Sequence, residues 1–165
     1  MSEAYLCLGG NLGNCITTFN NVCTHIQQSA KLVAQSSVYQ SLAWGMNNAP
    51  DFYNQIIKLQ TQLSVEELMQ FVLSVEKTLG RERGALLTGY QSRIIDIDIL
   101  FYNAGVLKTD TLEIPHPHMH LRNFVLQPLA EIAPNYIHPV LKKSIIELLK
   151  LCPDKGEVKK LVHAA

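Results

Sequence analysis

An α+β domain is what the sequence predicts. Strand-like and helix-like stretches both occur, but without the regular strand–helix–strand rhythm of a doubly wound sheet. At 165 residues the chain suits one domain, spanning 1–165, with neither an internal repeat nor a linker. A chain of that size buries roughly 70% of the surface it would expose unfolded. Apolar residues make up 47% of the sequence, which argues against disorder.

The elements follow in order. Tyr5-Leu6-Cys7-Leu8 is an apolar run broken by Gly9-Gly10-Asn11-Leu12-Gly13, the pattern of a strand ending in a glycine-rich turn. Residues 16–28 place Ile16, Phe19, Val22, Cys23 and Ile26 on one stripe, which predicts a helix. Residues 32–39, with Val33 and Val38, are predicted as a second strand, and 41–51 as a loop containing Gly45 and Pro50. Residues 52–62 partly alternate and predict a third strand. Ser64-Val65-Glu66-Glu67 is a capping box. The helix it opens runs through Leu68, Phe71, Val72, Val75 and Leu79, and Gly80 stands at its stop. Residues 81–92, polar and containing Gly84 and Gly89, read as an irregular loop. The segment from Arg93 to Tyr102 is the clearest strand in the chain. A turn at Asn103-Ala104-Gly105 follows, then short strands near Val106 and at 112–114, a proline- and histidine-rich turn, and short helices near 122–132 and 144–151. The strands at 5–8, 52–62 and 93–102 are expected to share one sheet, with both long helices packed on it.

Charge and cysteine usage narrow the function classes. Lys plus Arg and Asp plus Glu each total 14, so the chain lacks the basic footprint of a nucleic-acid binder. The N-terminus has no basic, then apolar, signal-peptide pattern, and no stretch approaches the ~18 uncharged apolar residues of a membrane span. The four cysteines form no CxxC pair, which fits thiols in a reducing cytoplasm.

Asp96 and Asp98 are the first candidates for chemistry. On a strand they share a face, about 6.5–7 Å apart at Cα, while Ile95, Ile97 and Ile99 take the other. Adjacent carboxylates repel, and a hard divalent cation relieves that repulsion; Mg²⁺ takes one or two carboxylates and completes its shell with water and phosphate oxygens. An edge strand with a solvated acidic face would read the same way, and so would a sugar-nucleotide transferase. Arg81, Arg83 and Arg93 precede this strand and Arg122 follows it. Their planar forks suit phosphate, although surface pairing with Glu82 would also use them. Pro115-His116-Pro117-His118-Met119-His120 offers three histidines at a spacing of two. The alternating prolines disfavour a zinc-binding strand, and a histidine that donates to phosphate is the better reading. The glycine-rich run lacks the Lys-Ser/Thr of a phosphate loop and the spacing of a dinucleotide fingerprint. Trp44, Phe52 and Phe124 could wall a flat ligand or simply belong to the core.

Taken in order, these pieces resemble the 6-hydroxymethyl-7,8-dihydropterin pyrophosphokinase family over nearly the whole chain. The anchors are Leu8-Gly9-Gly10-Asn11-Leu12-Gly13, Pro50-Asp51-Phe52-Tyr53-Asn54, Glu76 through Gly80-Arg81-Glu82-Arg83, Arg93-Ile94-Ile95-Asp96-Ile97-Asp98-Ile99, Ile114-Pro115-His116-Pro117, and Arg122-Asn123-Phe124-Val125-Leu126 with Pro128-Leu129. The resemblance implies a ferredoxin-like sandwich, a mainly antiparallel sheet with helices on both faces. It implies that Asp96 and Asp98 bind two Mg²⁺ ions bridging the ATP phosphates and the pterin hydroxyl. Arg83, Arg93, His116 and Arg122 would contact the triphosphate, with Glu76 and Tyr90 lining the nucleotide side. Phe52 and Phe124 would sandwich the pterin, Asn54 would bond its polar edge, and Ser41, Leu42, Trp44 and Gly45 match the loop that closes over it. Two departures stand out. Tyr90-Gln91-Ser92-Arg93 replaces the family's usual Gly-Pro-Arg approach to the Asp strand, and Thr111 and Glu113 stand where some members carry Arg and Thr.

The implied reaction is attack of the pterin hydroxymethyl oxygen on the β-phosphorus of ATP, with AMP leaving. Arg83 and Arg93 would neutralise charge, and Asp98 is the candidate acceptor for the alcohol proton. The expected partners are ATP and the pterin alcohol, with no nucleic acid and no membrane, and the expected state is a monomer. The rival readings are another Mg²⁺-dependent nucleotidyl- or glycosyl-transferase with an Asp-x-Asp pair, and a non-catalytic ferredoxin-like domain. The loop 82–92 is expected to close over the bound substrates.

Overall fold

The computed structural model describes residues 1–41, 51–80 and 94–161. A continuous apolar run, buried on both faces, produces a long first strand, β1 (Ser2–Gly10), which lies beside the central strand β4 (Phe52–Thr61). Between them in sequence lie helix α1 (Cys15–Ile26), β2 (Lys31–Gln35) and β3 (Tyr39–Ser41). Helix α2 (Val65–Thr78), strand β5 (Asp96–Tyr102), the small hairpin β6 (Leu107–Lys108) and β7 (Glu113–Ile114), helices α3 (Asn123–Ile132) and α4 (Ile145–Leu151), and strand β8 (Val158–Lys160) complete the order. The main sheet runs β5-β1-β4-β3-β8, with β2 also beside β4, and every pairing among the described residues is antiparallel. The strands at 5–8, 52–62 and 96–102 do share one sheet, as predicted.

Two layers of helix cover it. On one side Phe19, Val22 and Ile26 of α1 and Leu68, Val72 and Val75 of α2 bury against Leu6, Leu8, Ile57, Leu59, Ile97 and Ile99. On the other, Val125, Leu126 and Leu129 of α3 and Ile145 and Leu148 of α4 bury against Tyr5, Cys7, Ile56, Leu100 and Phe101. Local signals start the helices. Asn14 caps α1 by accepting from the Thr17 N–H, and Ser64 with Glu67, and Ser144 with Glu147, form reciprocal capping boxes. Gly80 follows α2 at φ +96°, a conformation that glycine adopts without strain.

The structure departs from the sequence reading in three places. The predicted strand at 32–39 is two strands lying end to end along β4, because long-range partners take over the backbone between them. Ser36 uses its hydroxyl to accept from the Ile56 N–H (2.9 Å), and the Ser37 N–H turns to the carboxylate of Glu131 (3.0 Å). Strand β8, which the sequence reading did not anticipate, is three residues long and joins the sheet through β3. Between β1 and β5 the register shifts after Tyr5, so that Tyr5 faces Phe101 while Leu6 faces Ile99 and Leu100 is the extra residue of a bulge.

Candidate active site

Strand pairing builds the floor of the candidate site. Gly9 of β1 lies between Asp96 of β5 and Asn54 of β4, and Tyr39 extends the row beyond Asn54. One step along the same face, Cys7 lies between Asp98 and Ile56. Phe52, opposite Ser41, shares this face by the two-residue alternation of β4. Cys7 and Ile56 pack with α3 and α4, so the floor lies on the α3 side of the sheet. Asp96 and Asp98 are both half-buried there.

Glycine at position 9 is required by close approach. A Cβ there would stand 2.8 Å from Nδ2 of Asn54, so the Asn54 amide lies directly over β1. That Nδ2 donates to the Leu8 carbonyl (3.4 Å) and toward Cys7 Sγ (3.7 Å). Among the described residues, the Asn54 Oδ1 is the buried side-chain polar atom left without a hydrogen-bond partner. A buried unsatisfied acceptor is costly, and a ligand N–H would remove that cost. Beneath the acids, burial and then the neighbouring Asp98 push the Cys7 thiol up, so Cys7 stays neutral packing under the floor.

The bulge positions the histidine. With Leu100 displaced from the ladder, its carbonyl accepts the N–H of His116 (3.0 Å). His116 follows Pro115, whose bond to Ile114 is cis. Its Nδ1 accepts the His118 N–H (3.2 Å), which leaves the proton of the neutral ring on Nε2. Burial, reinforced by Arg122 and His118 and opposed by Asp96, holds His116 down at about 4, so the ring is an uncharged donor at neutral pH. Arg122, immediately before α3, sets its guanidinium 6.0 Å from the centre of the Phe124 ring. Phe124 itself is half-buried at the edge of the α3 cluster.

Glu76 occupies a different position from the other candidates. It belongs to α2, on the opposite layer, is 1% exposed, and its Oε2 accepts the Ile97 N–H at 2.6 Å. It therefore braces the backbone between Asp96 and Asp98. The structure thus brings Ser41, Phe52, Asn54, Asp96, Asp98, His116, Arg122 and Phe124 to one side of the sheet. Leu42, Trp44, Gly45, Arg83, Tyr90 and Arg93, together with the loop 82–92, lie outside the described residues. Sequence reasoning missed Gly9 and Cys7 as parts of the floor. The period-two alternation of β1 carried that signal, but only the strand register turns it into neighbours for Asn54 and Asp98.

The donor set bears on a metal. Among the described residues no three or more His, Cys, Asp or Glu side chains gather to hold an ion. Two carboxylates on one strand face suit a cation that draws its remaining ligands from water and a polyphosphate, as Mg²⁺ does. No helix among the described residues is long and apolar enough to cross a membrane.

Comparison with known proteins shows the family to which the chain belongs. The family model for 7,8-dihydro-6-hydroxymethylpterin-pyrophosphokinase matches residues 5–134. The 2-amino-4-hydroxy-6-hydroxymethyldihydropteridine pyrophosphokinase of Aquifex aeolicus is 37% identical over 147 residues, covering 89% of this chain and 90% of the relative. The protein of the same name from Haemophilus influenzae is 35% identical over 161 residues, covering 96% and 98%. Among solved structures, Plasmodium falciparum HPPK-DHPS superposes with a TM-score of 0.72 at 18% identity, which shows a shared fold. It covers 91% of this chain, which spans 44% of that longer one. With most of its length matched by the family model and by near full-length relatives, the chain belongs to the 7,8-dihydro-6-hydroxymethylpterin-pyrophosphokinase family.

Proposed function

We propose that the chain transfers the pyrophosphoryl group of ATP to the hydroxymethyl group of 6-hydroxymethyl-7,8-dihydropterin, a step towards folate. Beyond family membership, the observation that carries this reading is the row Asp96–Gly9–Asn54. It sets an acidic pair suited to a phosphate-bearing cation two strands away from an orphaned amide oxygen suited to the N–H edge of a heterocycle.

In this reading Asp96 and Asp98 hold Mg²⁺, two ions in all. Bound there, the metal neutralises phosphate charge and makes the alcohol more acidic. Phe52 and Phe124 stack the pterin, Asn54 fixes its polar edge, and Ser41, Leu42, Trp44 and Gly45 close over it. Arg83, Arg93 and Arg122 present forks to the triphosphate, and neutral His116 donates from Nε2 to a phosphate oxygen. Tyr90 lines the nucleotide side, and Glu76, from the layer behind the sheet, braces the acidic strand. The hydroxymethyl oxygen attacks the β-phosphorus, the bond from that phosphorus to the α,β-bridging oxygen breaks, and AMP departs with the bridging oxygen. The alcohol proton passes to Asp98, while Arg83 and Arg93 take up charge on the leaving α-phosphate. Catalysis on this scheme is positioning and charge neutralisation. Closure of 82–92 would keep water out.

The reading extends to architecture and setting. The unit β1-α1-β2-β4-α2-β5, with strand order β5-β1-β4-β2, supports a ferredoxin-like sandwich. Both helix layers pack on the same sheet, which supports a single domain over 1–165. Four buried cysteines, none bonded to another, suit a reducing compartment, and we place the enzyme in the cytoplasm as a monomer.

The test is product identity. Incubated with ATP, Mg²⁺ and the pterin alcohol, the protein should release AMP in step with pterin pyrophosphate. ADP, free pyrophosphate or no pterin product would overturn the reading.

A further inference from the structure

The family match ends at residue 134, yet the chain beyond it reaches back to the site. Helix α3 has no side-chain cap of its own. Its N-cap position is Arg122, in extended conformation (φ −123°, ψ 106°), and an arginine cannot accept from the exposed amides of the first turn. The same turn is weakened from inside, because Pro128 has no N–H to offer the Phe124 carbonyl four residues earlier. The missing acceptor comes from the C-terminal segment. Asp154 Oδ2 accepts the Asn123 N–H (3.2 Å), and its Oδ1 accepts the Gly156 N–H (2.9 Å), which fixes the carboxylate. The Gly156 carbonyl in turn accepts from Asn123 Nδ2 (3.0 Å). Asn123, 8% exposed, is therefore held by both its backbone and its side chain. Its neighbours on either side are Arg122 and Phe124. The segment then continues into β8, which pairs with β3 so that Val158 lies opposite Ser41.

We propose that Asp154 is a positioning residue: by capping α3 from a distant part of the chain it sets Arg122 and Phe124 over the substrates. The inference rests on the function proposed above. It also explains why an arginine can stand at a helix N-cap, a place that Ser, Thr, Asp and Asn usually fill. The position is free to serve phosphate because the cap is supplied from elsewhere.

The test uses the full 165-residue chain, titrated calorimetrically with the hydroxymethyl-dihydropterin in the presence of Mg²⁺ and a non-hydrolysable ATP analogue. Ser64→Ala, which removes the local cap of α2 on the opposite face, serves as a matched loss of a helix cap. Asp154→Ala should raise the pterin Kd about five- to tenfold and speed amide exchange at residues 123–126. Asp154→Asn, which keeps one acceptor oxygen, should fall between it and wild type. Ser64→Ala should lower the melting temperature and leave the pterin Kd unchanged. If Asp154→Ala binds pterin within twofold of wild type, or Ser64→Ala weakens binding as much, the proposal is wrong. Should the alanine variant not fold, Asp154→Asn decides, and wild-type affinity in it overturns the proposal. A wild-type protein that takes up no pterin would overturn the function and this proposal together, whereas normal wild-type binding with an unaffected Asp154 variant overturns this proposal alone.

Discussion

The same three strands present two unlike faces. Toward α1 and α2, β1, β4 and β5 show Leu6, Leu8, Ile57, Leu59, Ile97 and Ile99, all buried and all apolar. Toward α3, one residue out of step, they show Cys7, Gly9, Asn54, Ile56, Asp96 and Asp98. Within two rows this second face passes from an aromatic core, where Tyr5, Phe101 and Tyr136 meet edge to face or tilted, to a polar floor. The difference teaches a division of labour. A dry face holds the strands rigid, so their other side can carry acids and an unsatisfied amide without losing its shape.

Substitutions should separate the two faces, and the largest effect is expected at the acids. Asp96→Ala and Asp98→Ala should each lower turnover by several orders of magnitude while denaturant unfolding still shows a cooperatively folded protein. Near-normal rates in both would erase the contrast. Next comes the dry face: Phe19→Ala, at a fully buried position of α1, should cost about 3–5 kcal/mol of stability. The protein that remains folded should keep wild-type substrate affinities, and a raised KM would mean that the faces are not independent. Smaller effects are expected at the pterin walls. Phe52→Ala and Phe124→Ala should each weaken pterin binding by about 1–3 kcal/mol and leave the ATP analogue nearly untouched in calorimetry. Equal losses for both ligands would assign these rings to the core.

One more effect concerns acid. His138 accepts the Val140 and Leu141 N–H groups at Nδ1 (3.2 and 3.1 Å), and burial, with His120 adding to it, holds the ring down at about 4. The unfolded chain takes up this proton near 6.5, so between pH 6.5 and about 4 the unfolded state binds more protons and stability is lost as the pH is lowered. Below that window both states are protonated and the slope disappears. His138→Asn should flatten the fall measured by denaturant melts, and an unchanged slope would assign the acid sensitivity elsewhere.

Legibility in the sequence followed the range of the interactions. Helix α2 was readable because Ser64 and Glu67 cap it three residues apart, and β5 because its isoleucines alternate with Asp96 and Asp98. The break in 32–39 was not readable, since Glu131, which claims the Ser37 amide, stands 94 residues away. Helix α3 was expected near its true bounds, but its cap at Asp154 has no local sign. In the site, residue types suggested which side chains do chemistry, and the family resemblance suggested their partners. Neither indicated that Gly9 must lack a side chain for the Asn54 amide, nor that a bulge at Leu100 would anchor His116. Those facts belong to strand register, which a single sequence specifies only once the whole sheet is assembled.

An outer strand can template another chain, since its free amides will pair with any extended segment that arrives. In β5 the Ile97 amide is already taken by the Glu76 side chain, so a buried carboxyl oxygen stands where an incoming carbonyl would have to dock. At the opposite rim β8 is only three residues long and presents Lys159 and Lys160. Among the described residues the sheet thus ends in an amide already engaged on one side and in lysines on the other, features that disfavour edge-to-edge pairing between copies. The brace that holds the acidic strand in place also removes one of the amides through which another strand would pair.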